Sequence, residues 1–497
     1  MRIATAVGLV VILALGVMVT QSLLALSVPG MSSDDAYLHL RQIESIRASG
    51  IPLTHDALSP TGNRLLVTPL YDYLLALAAV VMPAITALKI VPAIGAGLLV
   101  ILVFLLAYEL TQDGMSALFA ALAMAFMPAF GVSLNTAMPV SWILALTSLL
   151  LWQLMSVGSR KELGIYAALI IILSFTHPAV VLVLLGLLFY AGLLVIEELK
   201  TEKGFNEVLL FSTLFIVWSL TVRFKEALLA QGPAVVFQNI PAALRATYFA
   251  QIQVIDAVGL IGVLPFLFGS YMIYTYIFRE RQRNVYLLLG FALAMGLLLW
   301  MGIIQPLLGV MFLGLVLSVL FGVSVKRTAD YVAHTRAAAL RIPLLCLLFL
   351  LLALSSLLPA MQVAKATLAS APAQGELDQL ASMKDGLPTD AVIMAMPEEG
   401  FRVEALAGRK VVQDTDFLLQ KDAAQRYADI QRIFTGALKV DAVGLLNKYG
   451  ATHIYISPEA RARYNITRPS YADESCFPTV YDKAALVVRS VCKVEQS

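Results

Sequence analysis

The chain has 497 residues, 59% hydrophobic and only 14% charged, with a mean hydropathy of +0.82. A soluble domain carries about 25% charged residues, so this composition excludes a soluble globular enzyme and a disordered chain and requires a multi-pass membrane protein. The 35 Lys and Arg nearly cancel the 33 Asp and Glu, and the balance gives no reason to expect a nucleic-acid partner.

In chain order, apolar runs long enough to span fall at residues 3–28, 86–108, 115–132, 137–156, 163–176, 178–196, 207–222, 254–278, 285–300, 303–325 and 340–361. These predict about eleven transmembrane helices. The first run follows Arg2 as in a signal peptide, but it is longer than an h-region and lacks a small-x-small cleavage site, so a retained helix is expected. Leu65 to Met82 is interrupted by Asp72 and flanked by Pro69 and Pro83, which predicts an interfacial helix rather than a span. The runs 163–176 and 178–196 meet at His177 and Pro178, giving either two short helices with a tight turn capped by His177 or one kinked span. Gln305 with Pro306 opens a span and is expected to satisfy local backbone.

Positive charge orients the chain. With the N-terminus cytoplasmic, the internal segments carry Arg2, Arg160, Lys161, Lys200, Lys203, Arg279, Arg281, Arg283, Lys326, Arg327, Arg336 and Arg341. The longer external loops 29–85 and 223–253 hold only Arg41, Arg47, Arg64, Arg223, Lys225 and Arg245. Residues 1–361 therefore read as a transmembrane domain in the cell membrane, and 362–497 as an extracytoplasmic α/β domain.

That last region has charges at ordinary density. A helical linker ends near Pro388, followed by strands at Val392 to Met396, Lys410 to Gln413 and Thr452 to Ser457 and helices at Asp422 to Phe434 and Asp441 to Tyr449. Cys476 and Cys492 lie in it, either as a disulfide or as two buried thiols. Asn465-Ile466-Thr467 is a sequon in the same region and makes Asn465 a glycosylation candidate.

The densest polar cluster of the membrane half is Asp34, Asp35, Tyr37, His39, Arg41 and Glu44. Carboxylates suit a divalent cation such as manganese or magnesium, and Arg suits a phosphate. An amphipathic interfacial helix has the same composition. No Walker loop, dinucleotide fingerprint or Cys/His metal spacing is present, and no inverted repeat points to a secondary transporter.

Asp35-Ala36-Tyr37-Leu38-His39-Leu40-Arg41 with Glu44, then Asp56, Ser59-Pro60-Thr61-Gly62 and Pro69-Leu70-Tyr71-Asp72-Tyr73-Leu74-Leu75-Ala76, resembles the first external loop of the oligosaccharyltransferase catalytic subunit family, within the GT-C glycosyltransferases. The resemblance implies a GT-C-like fold. It also implies transfer of a sugar or oligosaccharide from a polyprenyl or dolichyl phosphate carrier to an extracytoplasmic acceptor, protein Asn or a lipid. On it Asp35 is the catalytic and metal-binding carboxylate, with Asp34 its neighbouring candidate, and His39 and Arg41 serve the phosphate unless they pair with Glu44.

Three departures accompany the likeness. The second external loop, Asn135-Thr136-Ala137-Met138-Pro139-Val140-Ser141, has no carboxylate, and only Asn135 and Ser141 offer neutral oxygens. Gln238 in Phe237-Gln238-Asn239-Ile240-Pro241 stands where the family has a Glu. The acceptor-reading W-W-D-Y-G is reduced to Met396-Pro397-Glu398-Glu399-Gly400, followed by Arg409 and Asp414, leaving Glu398 to accept from an acceptor hydroxyl or to be a turn carboxylate. A non-catalytic scaffold or lipid-binding subunit with the same fold is the competing expectation.

Overall fold

The computed structural model describes residues 3–59, 64–155, 160–201, 204–336 and 338–493. Arg2 and Lys203 of the charge pattern and Pro60, Thr61 and Gly62 of the first-loop series lie outside the described residues. The chain forms two compact units: Met1–Ser27, Thr68–Arg223 and Thr247–Ala369 in one, and Val28–Val67, Phe224–Ala246 and Ser370–Ser497 in the other.

The first unit is helical, as the apolar runs require. Among the described residues, seven helices are long and apolar enough to cross a membrane, eight if a bent pair counts as one span. All eleven apolar runs fold as helices, but Val140–Met155 and Val180–Ile196 have only 16 and 17 residues, short of the ~20 that a span needs. The helix Pro306–Ala333 lies at the centre, 89% of its apolar window buried against Ala84–Thr111, Gly114–Ala125, Val263–Phe278 and Arg283–Met301. Ile3–Leu26 is apolar all round and only 17% buried, the pattern of a helix whose outer side meets lipid.

Local chemistry sets the details. Gly262, at φ +104°, separates Val254–Ile261 from Val263–Phe278 and permits the 113° bend between them. A Cβ on Gly290 would sit 2.6 Å from the Tyr190 nitrogen, so the helices Arg283–Met301 and Val180–Ile196 approach on a glycine. The backbone N–H of Ala179 donates to His177 Nδ1 at 3.0 Å, capping the turn between two separate helices, Arg160–Thr176 and Val180–Ile196. The region around Asp72 forms a ten-residue helix, Pro69–Ala78, opened by Pro at its first position. At about 1.5 Å per residue it is too short to cross.

The second unit holds a five-stranded sheet: β1 (Val392–Met394), β2 (Lys410–Val411), β3 (His453–Ile456), β4 (Thr479–Asp482) and β5 (Leu486–Arg489), in the order β2-β1-β3-β5-β4. β1 pairs in parallel with β2 and β3, and β5 pairs antiparallel with β3 and β4. All four residues of β3 are buried, as a central strand covered on both faces must be. The strands at Val392 and Lys410 are shorter than the segments predicted for them, because β1 pairs with β2 only over Val392↔Lys410 and Ile393↔Val411 and with β3 only over Ile393↔His453 and Met394↔Ile454. Cys476 and Cys492 are joined as a disulfide. A helical fold with many apolar helices and a small C-terminal α/β sheet, as the sequence predicts, is thus what the chain adopts.

Candidate active site

The first-loop series folds as the helix Asp35–Ser49, closed by Gly50 at φ +76°, whose N–H returns to the Ile46 carbonyl at 2.8 Å. Ala36, Tyr37, Leu40 and Ile43 bury one face of it. The segment after the helix folds back upon it: Gln42 donates to the Leu53 carbonyl at 3.0 Å and accepts from the Leu53 N–H at 2.7 Å. This clamp brings Asp56 to the helix flank.

The two adjacent acids have different surroundings. Both oxygens of Asp34 are engaged, accepting from the backbone N–H groups of Phe401 at 3.0 Å and Arg402 at 2.9 Å. Asp34 therefore caps the helix Gly400–Ala407, satisfying orphan donors at its positive end. Burial holds its carboxyl well above the ordinary carboxylate range, against the Arg402 charge and these backbone bonds. Asp35 is instead exposed. Its Oδ1 accepts from the Thr415 hydroxyl at 3.1 Å. Crowding by surrounding protein raises the Asp35 carboxyl, opposed by Thr415 and by the charge of His39 one turn on. A solvent-reachable carboxylate with raised proton affinity is a group able to take a proton from an acceptor.

Arg41 forms a buried fork. Its Nη1 and Nη2 lie 2.5 Å from Asp56 Oδ2 and Oδ1, and Nη1 is also 2.5 Å from Glu404 Oε2. Burial pulls its pKa down, but Asp56 and Glu404 outweigh this and hold the guanidinium charged. Arg41 thus bridges the first loop to the helix Gly400–Ala407, and Glu44, the partner suggested by helical spacing, is exposed. Burial also raises Glu404 and Asp414 well above the ordinary range, each pushed further by a neighbouring carboxylate.

The remaining candidates are placed as follows. Gln238 is exposed, at φ +53°, at the end of the short 3-10 helix Gly232–Phe237. Its neighbour Asn239 makes the tie, donating to the Phe417 and Gln420 carbonyls at 2.8 and 2.6 Å. Glu398 accepts from Arg463 at 2.7 Å through Oε1, while its buried Oε2 has no partner among the described residues. Arg409 donates to the Lys384 and Leu387 carbonyls at 2.7 and 2.6 Å and holds backbone, not ligand. Ser141 donates to the Pro92 carbonyl at 2.8 Å, and Asn135 is buried at φ +59°. Asn465 is exposed, at φ +51°, ending the helix Pro458–Tyr464.

Nothing in the local sequence marks Thr415, Asn239 or Glu404, whose partners lie 178 to 380 residues away. Lys89 carries a signal that the apolar runs obscure. It is the single basic residue of the helix Ala84–Thr111, only 6% exposed, and an ionisable group inside a span is a functional candidate by default.

A magnesium ion keeps several waters and is held by one or two carboxylates together with substrate phosphates. Among the described residues no three His, Cys, Asp or Glu side chains form a group able to hold a metal ion, and both Asp34 oxygens already accept hydrogen bonds. Asp35 is the open carboxylate of the adjacent pair, and no chemical step is assigned to a manganese or magnesium ion there.

No family profile and no curated relative matches the sequence. Solved structures do. The Archaeoglobus fulgidus oligosaccharyltransferase in its apo form superposes with a TM-score of 0.67 at 16% identity, over 91% of this chain and 70% of that one. ArnT from Cupriavidus metallidurans bound to undecaprenyl phosphate superposes with a TM-score of 0.60 at 13% identity, over 98% and 99% of the two chains. The fold is that of the GT-C glycosyltransferases. A further match is the archaeal enzyme AglB in complex with an inhibitory peptide and a dolichol-phosphate, at a TM-score of 0.64 and 16% identity. At these identities the GT-C likeness is one of fold, and the chemistry has to be argued from the side chains.

Proposed function

We propose that the chain is a membrane glycosyltransferase that moves a sugar or oligosaccharide from a polyprenyl or dolichyl phosphate carrier to an acceptor outside the cytoplasm, with protein Asn as the acceptor and a lipid as the alternative. The observation that carries this reading is the contrast between Asp34, whose oxygens both cap a helix, and Asp35, which stays open with a raised proton affinity. Asp35 takes the acceptor's proton as the acceptor atom attacks the anomeric carbon. The bond from that carbon to the carrier phosphate breaks, and its electron pair leaves on the phosphate.

The GT-C fold supports this reading, as do neighbours whose structures hold dolichol-phosphate and undecaprenyl phosphate. The basic internal loops support a cytoplasmic N-terminus and an external C-terminal region. The test is transfer by the purified full chain from a lipid extract of the host membrane to a dye-labelled Asn-x-Thr peptide, with added manganese or magnesium. Transfer that is lost in Asp35→Ala supports the reading. A pure, folded chain that binds polyprenyl phosphate yet transfers nothing to peptide or lipid favours the scaffold instead, for which the absence of carboxylates at Asn135 and Ser141 is the specific argument.

A further inference from the structure

We propose that the bond between Cys476 and Cys492 is a thiol-exchange site, opened by a low-molecular-weight thiol of the glutathione class, with Cys492 the sulfur attacked and Cys476 the leaving thiolate. The inference is independent of the glycosyl-transfer reading above. Lys439 opens the helix Lys439–Tyr449, and its Nζ lies 4.0 Å from Cys476 Sγ. An ammonium beside a sulfur stabilises the thiolate, and a stabilised thiolate leaves faster. Asp473 holds Lys439 there as an ion pair through Oδ2. Its Oδ1 accepts from the Cys476 N–H at 3.0 Å and from the Ser475 hydroxyl at 2.8 Å, so both carboxylate oxygens are engaged.

The two sulfurs differ in access. Cys476 is 8% exposed and packs into the core with Phe477 and Val488, whereas Cys492, beyond β5, is only half-buried. An incoming thiol meets Cys492 first. A structural staple joins segments that would otherwise part, and here they are joined already. The Val491 N–H donates to the Cys476 carbonyl at 3.0 Å, the Ser490 N–H to the Thr452 carbonyl at 2.8 Å and the Arg489 N–H to the Pro478 carbonyl at 3.0 Å. These backbone bonds keep the two cysteines adjacent when the sulfur bond is open.

The exchange is balanced as follows. The incoming thiolate forms a bond to Cys492 Sγ, the bond from Cys492 to Cys476 breaks, and its electron pair leaves on Cys476 Sγ opposite the Lys439 ammonium. The product carries a mixed disulfide on Cys492 and a thiolate on Cys476. In the reverse step the Cys476 thiolate attacks Cys492 Sγ and expels the small thiol. A second small thiol attacking the mixed disulfide at the small molecule's own sulfur leaves two protein thiols and a small-molecule disulfide.

The test treats the full chain, in a Cys346→Ser background and without denaturant, with reduced glutathione, quenches with N-ethylmaleimide and maps the peptides by mass. Glutathione should be found on Cys492 and N-ethylmaleimide on Cys476. Lys439 is 41% exposed, so Lys439→Gln should fold; it should slow opening by about threefold, with Lys439→Arg restoring the rate. Cys492→Ser should keep the circular dichroism spectrum of the parent, since the backbone bonds remain. Glutathione on Cys476, a bond that opens only in denaturant, or an unchanged rate in Lys439→Gln overturns the inference. Loss of the fold in Cys492→Ser makes the bond a structural staple and overturns it as well.

Discussion

Arg41 and Glu404 are separated by 363 residues of chain, and a guanidinium nitrogen of one lies 2.5 Å from a carboxylate oxygen of the other. Asp56 closes the other edge of the same guanidinium. Removing one partner of a buried ion pair leaves uncompensated charge and costs about 3–5 kcal/mol. Arg41→Ala should therefore lower the melting temperature sharply, because it strands both Asp56 and Glu404. Glu404→Gln should be much milder, since burial and Asp414 already favour its protonated form. Thermal unfolding of the two variants checks the order; a milder Arg41→Ala would contradict it.

The two adjacent aspartates should separate stability from activity. Asp34→Ala removes the cap on Phe401 and Arg402, worth about 0.5–2 kcal/mol for a helix N-cap. Asp35→Ala removes an exposed group. We expect a lowered melting temperature for the first, and for the second an unchanged melting temperature with transfer abolished. Wild-type turnover in Asp35→Ala would remove its assignment.

Membrane orientation is open to cysteine labelling in a Cys346→Ser background. Ser159 lies outside the described residues, and Ser324 is buried with its hydroxyl on the Phe321 carbonyl, so neither makes a good probe. Lys200 and Ser382 are exposed. Lys200→Cys should react only with a reagent on the cytoplasmic side and Ser382→Cys only from outside. Reaction of both from one face would refute the orientation.

His453 sits buried in β3 with Thr452 Oγ1 2.8 Å from its Nδ1. Burial and Arg489 lower its pKa to about 4 from an ordinary 6.5. A histidine depressed by folding stabilises the fold above its unfolded pKa, and this contribution is lost as pH falls from about 6.5 to about 4. His453→Asn should flatten the melting temperature over that range, as differential scanning at several pH values would show. An unchanged slope would mean that His453 titrates normally.

Asn465 is exposed on a left-handed turn, where a glycan would not have to be buried. In a host with an active oligosaccharyltransferase, intact mass should exceed that of Asn465→Gln by one glycan in part of the protein. Equal masses, apart from the substitution, would reject modification.

The division of labour between Asp34 and Asp35 shows where sequence ceases to inform. The helix that carries them is legible from residue order, as are the apolar helices and β1 to β3. β5 had a faint signal in the apolar run Ala485 to Val488, whereas β4 is largely exposed and shows no alternation. Neither the capping role of Asp34 nor the Arg41 fork can be read locally, because their partners in the helix Gly400–Ala407 are tertiary. At Gln238 the backbone turns at φ +53°, and the contact to the Phe417 and Gln420 carbonyls is made by the neighbouring Asn239, which residue order alone does not reveal.

The unit that carries Asp35 is assembled from residues 28–67, 224–246 and 370–497. Asp34, Asp35 and Arg41 emerge early in synthesis, but the residues that receive them lie more than 360 positions later. At about 5–20 residues per second the first segment waits roughly 20–70 s for its partners. Through that interval the nascent chain carries these polar groups without the tertiary contacts that later organise them. A ribosome-stalled chain ending before Gly400 should accordingly leave the 28–67 segment open to protease, and one released after Asp416 should protect it.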